Sequence, residues 1–203
     1  MSFLDKVKEA AIEKRLKNLR KSLHNMTPTI LSNNCNGTFM YHDLRLKFYS
    51  PTINLFFSIP DFIKFLSDLD LYLEMELKQY VTDEYTYPIG LLGEIKIHFM
   101  HYETFEEAAK KWYERVNRIN KRNLYIVMNE GKGCRYEDLV KFDKLPFPFK
   151  VVFTHKPYPV IKSAYYIKGF EDKESCDFLF EYRKRRIERY YEQFDYVSFL
   201  NQN

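Results

Sequence analysis

Apolar positions recur with a helical period over residues 2–24, where Ile12, Leu16, Leu19 and Leu23 share one stripe and lysines and arginines fill the gaps. The pattern predicts an N-terminal basic amphipathic helix within residues 1–25. Beyond it, short apolar runs alternate with helical patterns, which is how a sheet with crossover helices reads in sequence. Strands are predicted over Pro28–Leu31, Thr52–Phe57, Glu94–His101, Leu124–Met128 and Lys150–Phe153. Several are continuously apolar, as strands buried on both faces are. Helices are expected over about Thr38–Leu46, Pro60–Leu73, Thr104–Asn120, Tyr136–Phe142 and Lys173–Phe194. In the third of these, Thr104 and Glu107 form a capping box ahead of the apolar stripe Phe105, Ala108, Ala109, Trp112, Val116 and Ile119. That start places His101 in the turn before the helix. Residues 79–92, rich in Tyr, Thr, Asp, Pro and Gly, read as a loop or hairpin. The expected architecture is α/β: three layers, α/β/α, around a mostly parallel or mixed central sheet of about five to seven strands, in a single domain over residues 1–203.

Composition narrows this picture. The chain of 203 residues is long enough for one sizeable core, and its 18 Phe and 17 Tyr argue against disorder. No stretch reaches the ~18 apolar residues of a membrane span, and charges stand where a signal peptide needs its apolar segment. A cytoplasmic location is the expectation. Cys35, Cys134 and Cys176 are odd in number and far apart, without the paired spacing of a zinc site or a disulfide framework. They predict a reducing compartment and neither metal nor cofactor. Gly131-Lys132-Gly133 precedes a helix and would suit a phosphate, but it is neither a P-loop nor a dinucleotide fingerprint. The net charge of +4, from 32 basic and 28 acidic residues, is slight and interspersed, so no nucleic-acid partner is expected. Two clusters are locally basic: Lys14-Arg15-Lys17-Arg20-Lys21 and Arg183-Lys184-Arg185-Arg186. The first helix suits either an anionic membrane surface or packing on this domain or a second copy. Arg115, Arg118, Lys121 and Arg122 are expected on the solvated face of their helix.

Candidate chemistry follows from topology, because ligands of open α/β sheets bind beyond the carboxyl ends of the strands. The residues that follow the predicted strands are Ser32, Asn33, Asn34 and Cys35; Ser58 and Asp61; His101; Asn129 and Glu130; Thr154 and His155. Parallel strands would bring all of them to one rim. Cys35 sits where a strand leads into a helix, so helix-end amides favour its thiolate and a nearby imidazole would make a nucleophile and base pair. His101 is the preferred partner: it is in phase with Ile95, Ile97 and Phe99 and should point inward. His155 is the reserve, whereas His98 lies in the opposite phase and His42 within a helix. Asn33 and Asn34 either shape the turn or donate to a sugar hydroxyl or an oxyanion. Asn33, Asn34, Asp61, Asn129, Glu130 and His155 are the expected substrate-binding residues.

Ser32-Asn33-Asn34-Cys35, Tyr41, Leu44-Arg45-Leu46, Ser50-Pro51-Thr52, Tyr87-Pro88-Ile89-Gly90, His101-Tyr102 and Lys111-Trp112 with Arg115, Arg118, Ile119 and Asn120, in this order and spacing, resemble a bacterial family known as domain of unknown function 1919. The resemblance covers nearly the whole chain from about residue 28. Its members are often labelled exopolysaccharide biosynthesis proteins. The family carries an aromatic residue and two glycines after the cysteine, where this chain has Asn36, Gly37 and Thr38. It is distantly similar to proteins described as papain-like cysteine peptidases, although a papain-like fold would not begin with a strand leading into the nucleophile. The resemblance implies a part in making capsule, exopolysaccharide or lipopolysaccharide. The expected function is a transferase acting on a sugar, a nucleotide sugar or a lipid-linked glycan. A thiol hydrolase or acyltransferase using Cys35 and His101 is the first alternative, and a non-catalytic glycan-binding or scaffold component the second. Peripheral contact with membrane or assembly machinery accompanies each reading.

Overall fold

The structure, a computed structural model, describes residues 3–176 and 178–202. Along the chain lie α1 (Phe3–Ser22), β1 (Thr29–Ser32), α2 (Asn36–Leu44), α3 (Ile59–Ser67), α4 (Leu69–Glu74), β2 (Lys78–Tyr80), β3 (Ile89–Leu92), β4 (Ile95–His98), α5 (Phe105–Val116), β5 (Leu124–Asn129), α6 (Tyr136–Asp143), β6 (Lys150–Thr154), β7 (Ala164–Tyr166), a 3-10 turn at Tyr190–Gln193 and α7 (Tyr196–Leu200). The fold is α/β with an N-terminal helix. Its strands divide between a four-stranded parallel sheet, ordered β1-β5-β6-β7, and a three-stranded antiparallel sheet, ordered β2-β3-β4, instead of forming one sheet of five to seven.

The parallel sheet is apolar on both faces, and the period of two sends alternate residues into separate cores. Tyr125 and Val127 of β5 join Ile30, Val151 and Phe153 in one core, covered by Met40, Tyr41 and Leu44 of α2 and by Tyr196, Val197 and Leu200 of α7. Ile126 and Met128 join Leu31 and Val152 in the other, covered by Phe62 and Phe65 of α3, Trp112 of α5, Leu139 and Phe142 of α6, and Ile95 and Ile97 of β4. Each of these side chains contributes roughly 1.5–3 kcal/mol by leaving water, which is why the continuous apolar runs hold as buried strands.

Four predicted elements differ from the structure. Thr52–Phe57 is no strand: Pro51 precedes it and Asn54 adopts a left-handed φ of 59°. The segment serves as a connector. Ser32 donates its N–H to Thr52 Oγ1 at 2.9 Å, Phe57 N–H donates to Asn33 O at 2.9 Å, and Phe56 and His98 exchange both backbone hydrogen bonds at 2.9 Å. Pro60–Leu73 splits at Asp68, whose backbone at φ −140° and ψ 58° is not helical. Lys173–Phe194 is not a helix. Left-handed residues at Phe178 and Arg185 interrupt it, and its backbone folds into a hairpin in which Arg183 N–H reaches Glu188 O and Tyr190 N–H reaches Glu181 O. The predicted Glu94–His101 strand stops at His98 in β4.

Two contacts hold the loops that carry the site. The first turn of α2 lies so close to β1 that a Cβ at Gly37 would sit 2.9 Å from Ser32 Cβ. Arg115, expected at the surface, is instead buried: its Nη1 donates to Tyr102 Oη at 2.6 Å and to Ile53 O at 3.3 Å, and its guanidinium lies over the Phe48 ring. Tyr102 itself donates to Ile53 O at 3.2 Å, so the turn after β4 is tied to the connector.

Gly37→Ala is expected to cost about 1–3 kcal/mol through overpacking, read as a lower urea midpoint with an unchanged slope. Arg115→Met should cost about 2 kcal/mol, because it leaves Ile53 O and the Tyr102 hydroxyl short of a partner; a wild-type urea midpoint would contradict that account.

Candidate functional site

A cleft of about 580 Å³ opens beyond the carboxyl ends of β1 and β5. Its walls are mainly apolar: Phe56 and Phe57 from the connector, Phe178 and Phe180 from the C-terminal segment, and Met100 from the turn after β4. Cys35 and His101 both line it, and Cys35 Sγ lies 3.4 Å from His101 Nε2. That is within the reach of a hydrogen bond to sulfur.

The two residues arrive from different sheets. Cys35 is the N-cap of α2, carried there by the end of β1; its side chain makes no capping bond. Asn34 Oδ1 takes over that task by accepting from Asn36 N–H at 3.0 Å. His101 lies in the turn closed by Tyr102 N–H donating to Phe99 O at 3.0 Å, and there it is exposed at the cleft's edge. The expectation that strand phase would point it inward does not hold, because β4 ends three residues earlier and the turn resets the direction.

Burial raises the Cys35 thiol above the ordinary thiol range. The positive end of α2 acts in the opposite sense. His101 Nε2 stands within reach of that thiol's proton. Other thiols differ in setting: Cys134 is pushed up to about 12 by burial, with Glu130 and Asp138 adding to it, while Cys176 is fully buried along the cleft.

The remaining expected residues divide by position. Asn33 lines the cleft but uses its amide on the backbone of Asn129, donating Nδ2–H to Asn129 O at 3.1 Å and accepting Asn129 N–H at 2.8 Å. This pair of hydrogen bonds locks the ends of β1 and β5 together. Asn129 also lines the cleft and donates Nδ2–H to Cys176 O at 2.8 Å, which anchors the C-terminal wall. Asn34 has Oδ1 engaged in the cap, so Nδ2 is the group it retains for a ligand. Glu130 and His155 lie behind the cleft as a buried pair: Glu130 Oε2 accepts His155 N–H at 2.8 Å and faces His155 Nδ1 at 2.7 Å, and Oε1 accepts from Tyr158 Oη at 3.2 Å. They close the β5 and β6 ends and are not among the described residues lining the cleft. Asp61, in the first turn of α3, is also absent from that lining; its charge acts on His98, whose imidazole is lowered by burial and raised by Asp61.

The aromatic wall escaped sequence reasoning. Phe56 and Phe57 stood inside a presumed strand, and Phe178 and Phe180 inside a presumed helix. Phe178 is left-handed and residues 179–180 form a turn, a local geometry that neither helical nor strand periodicity signals. Gly131 and Gly133 line the cleft with open space around their Cα atoms, so no close approach demands glycine there. Among the described residues, no group of three or more His, Cys, Asp or Glu is placed to hold a metal ion, and no helix is long and apolar enough to cross a membrane.

Comparison with known proteins matches the chain along almost its whole length. A protein of Haemophilus influenzae described as uncharacterized is 43% identical over 206 residues, covering 99% of each chain. Residues 5–201 match the family described as Domain of unknown function (DUF1919), and the chain belongs to that family.

Proposed function

We propose that this protein is a cysteine-dependent acyl-transfer enzyme in which Cys35 is the nucleophile and His101 its base. The observation that carries the reading is the 3.4 Å approach of Sγ to Nε2 at the edge of an aromatic cleft. An apolar wall suits an acyl chain. Among the described residues lining the cleft, Lys132 is the one basic side chain besides His101, which is sparse for the diphosphate of a nucleotide sugar. An acyl donor is therefore favoured over the sugar-nucleotide donor.

The chemistry needs each of these groups once. Sγ attacks the carbonyl carbon of an ester or thioester while the thiol proton passes to His101 Nε2. The oxyanion that forms is met by Asn34 Nδ2–H. Collapse breaks the bond to the alcohol or thiol leaving group, which takes the proton back from His101, and leaves an acyl thioester on Cys35. An acceptor hydroxyl then gives its proton to His101 and attacks the thioester, which releases the acylated product and restores the thiol. A raised thiol pKa fits this order, since the proton leaves only when an electrophile is present. A sugar hydroxyl as acceptor would place the reaction in surface polysaccharide assembly, as the family resemblance implies; water as acceptor would make it a hydrolase.

Mixing the protein with p-nitrophenyl acyl esters and acyl thioesters, and following intact mass, should show one acyl group added at Cys35. Cys35→Ala should abolish the adduct, and His101→Ala should slow its formation by roughly 10²–10⁴-fold. Absence of an adduct on Cys35 across these donors, or a wild-type rate in His101→Ala, would contradict the proposal.

A further inference from the structure

We infer that the outer face of α1, together with the basic tip of the neighbouring hairpin, is a docking surface for an anionic lipid bilayer. The inference is independent of the reaction assigned to the cleft. Helix α1 is held to the protein by one side. Leu19 packs against the core, Leu23 just beyond the helix is buried, Arg15 pairs with Glu192, and Arg20 Nη1 donates to Asp43 O at 3.0 Å. Glu13 is also engaged, bonding Arg45 Nη2 at 2.9 Å.

The opposite side presents Phe3, Val7, Ala10, Lys14, Lys17 and Lys21, a stripe spaced alternately by four and three residues, and all six are exposed. No acidic residue falls on that stripe. Its amino end is apolar, with Phe3 at 79%, Leu4 at 77% and Val7 at 52% exposure, and the remainder is lysine. An apolar end that enters the headgroup region, followed by cations that meet lipid phosphates, is the composition of an interfacial helix.

Charge distribution argues for the same partner. Helix α1 carries seven Lys and Arg against three Asp and Glu, a net +4 equal to that of the whole chain. Arg183-Lys184-Arg185-Arg186 adds four more cations, so the rest of the chain, with 21 basic and 25 acidic residues, is net −4. These two basic elements adjoin. Lys8 Nζ lies 5.6 Å from the centre of the Tyr182 ring, and Tyr182 bridges to Arg189 across the hairpin whose tip is residues 183–186. The same segment supplies Phe178, 62% exposed, and Phe180 to the cleft. A bilayer seated on α1 and the hairpin tip would thus lie beside one lip of the cleft.

The test is flotation of the full chain with vesicles of phosphatidylcholine alone or with added phosphatidylglycerol, at low and high salt, alongside sedimentation velocity without lipid. The expected result is co-flotation with the anionic vesicles alone, released by high salt. The triple variant Lys14→Glu, Lys17→Glu, Lys21→Glu should weaken partitioning by at least about a hundredfold, and Phe3→Asp with Val7→Asp should weaken it while leaving net lysine charge on the stripe. Both variants alter exposed side chains and should keep the wild-type urea midpoint, which separates loss of docking from loss of fold. No flotation with anionic vesicles, equal flotation with both lipids, or wild-type flotation in both variants would overturn the inference. Self-association that these variants abolish, without vesicle binding, would assign the face to a second copy and overturn it as well.

Discussion

A short piece of irregular backbone decides where everything else in the site goes. The connector before α3 bonds the end of β1 through Phe57 and the end of β4 through Phe56, with three N–H groups and three carbonyls committed between the connector and the ends of strands of separate sheets. Backbone groups in that position are buried and must be paired, so the two sheet ends cannot drift apart without leaving several of them unsatisfied. The thiol rides on one end and the imidazole just beyond the other. Asn33 and Arg115 reinforce this junction from opposite sides, the first across to Asn129 and the second down to Ile53 and Tyr102.

The setting of Cys35 is a compromise between two demands. An apolar cleft is needed if an acyl chain is to leave water, yet the same burial raises the thiol and disfavours the thiolate. On the proposed mechanism a partner that accepts the proton during attack would reconcile the two, and His101 stands exposed at the cleft's edge. The buried pair of Glu130 and His155 plays a different part. With both carboxylate oxygens occupied by His155 and Tyr158, it stiffens the strand ends behind the cleft.

Much of this was legible in the residues, and the failures share a cause. The strands β1, β5 and β6 were readable because burial on both faces demands continuous apolar runs, and the start of α5 because Thr104 caps it, accepting Glu107 N–H at 3.2 Å. Where tertiary contacts override local pattern, reading failed. Thr52–Phe57 has strand composition but is bent by Asn54, and Lys173–Phe194 has helical composition but is broken by left-handed Phe178 and Arg185 and pinned by the buried side chains of Cys176, Leu179 and Tyr191. The pairing of Cys35 with His101 was expected from strand phase, yet the geometry that brings them together is a turn, which phase cannot describe. Asp61 was placed on the rim by taking Thr52–Phe57 as a strand, while Glu130 and His155 do follow parallel strands but turn to each other, and none of the three lines the cleft.

The most direct test of the central claim, that Cys35 and His101 act as one unit, is the pH dependence of Cys35 acylation by an activated ester in wild type and in His101→Ala. With a base in reach of a thiol whose own pKa is raised, acylation should already proceed at neutral pH in wild type, whereas in the variant it should rise only above the ordinary thiol range of about 8.5, as free thiolate appears. Superimposable profiles would show that the imidazole takes no part, and the 3.4 Å contact would then be packing alone.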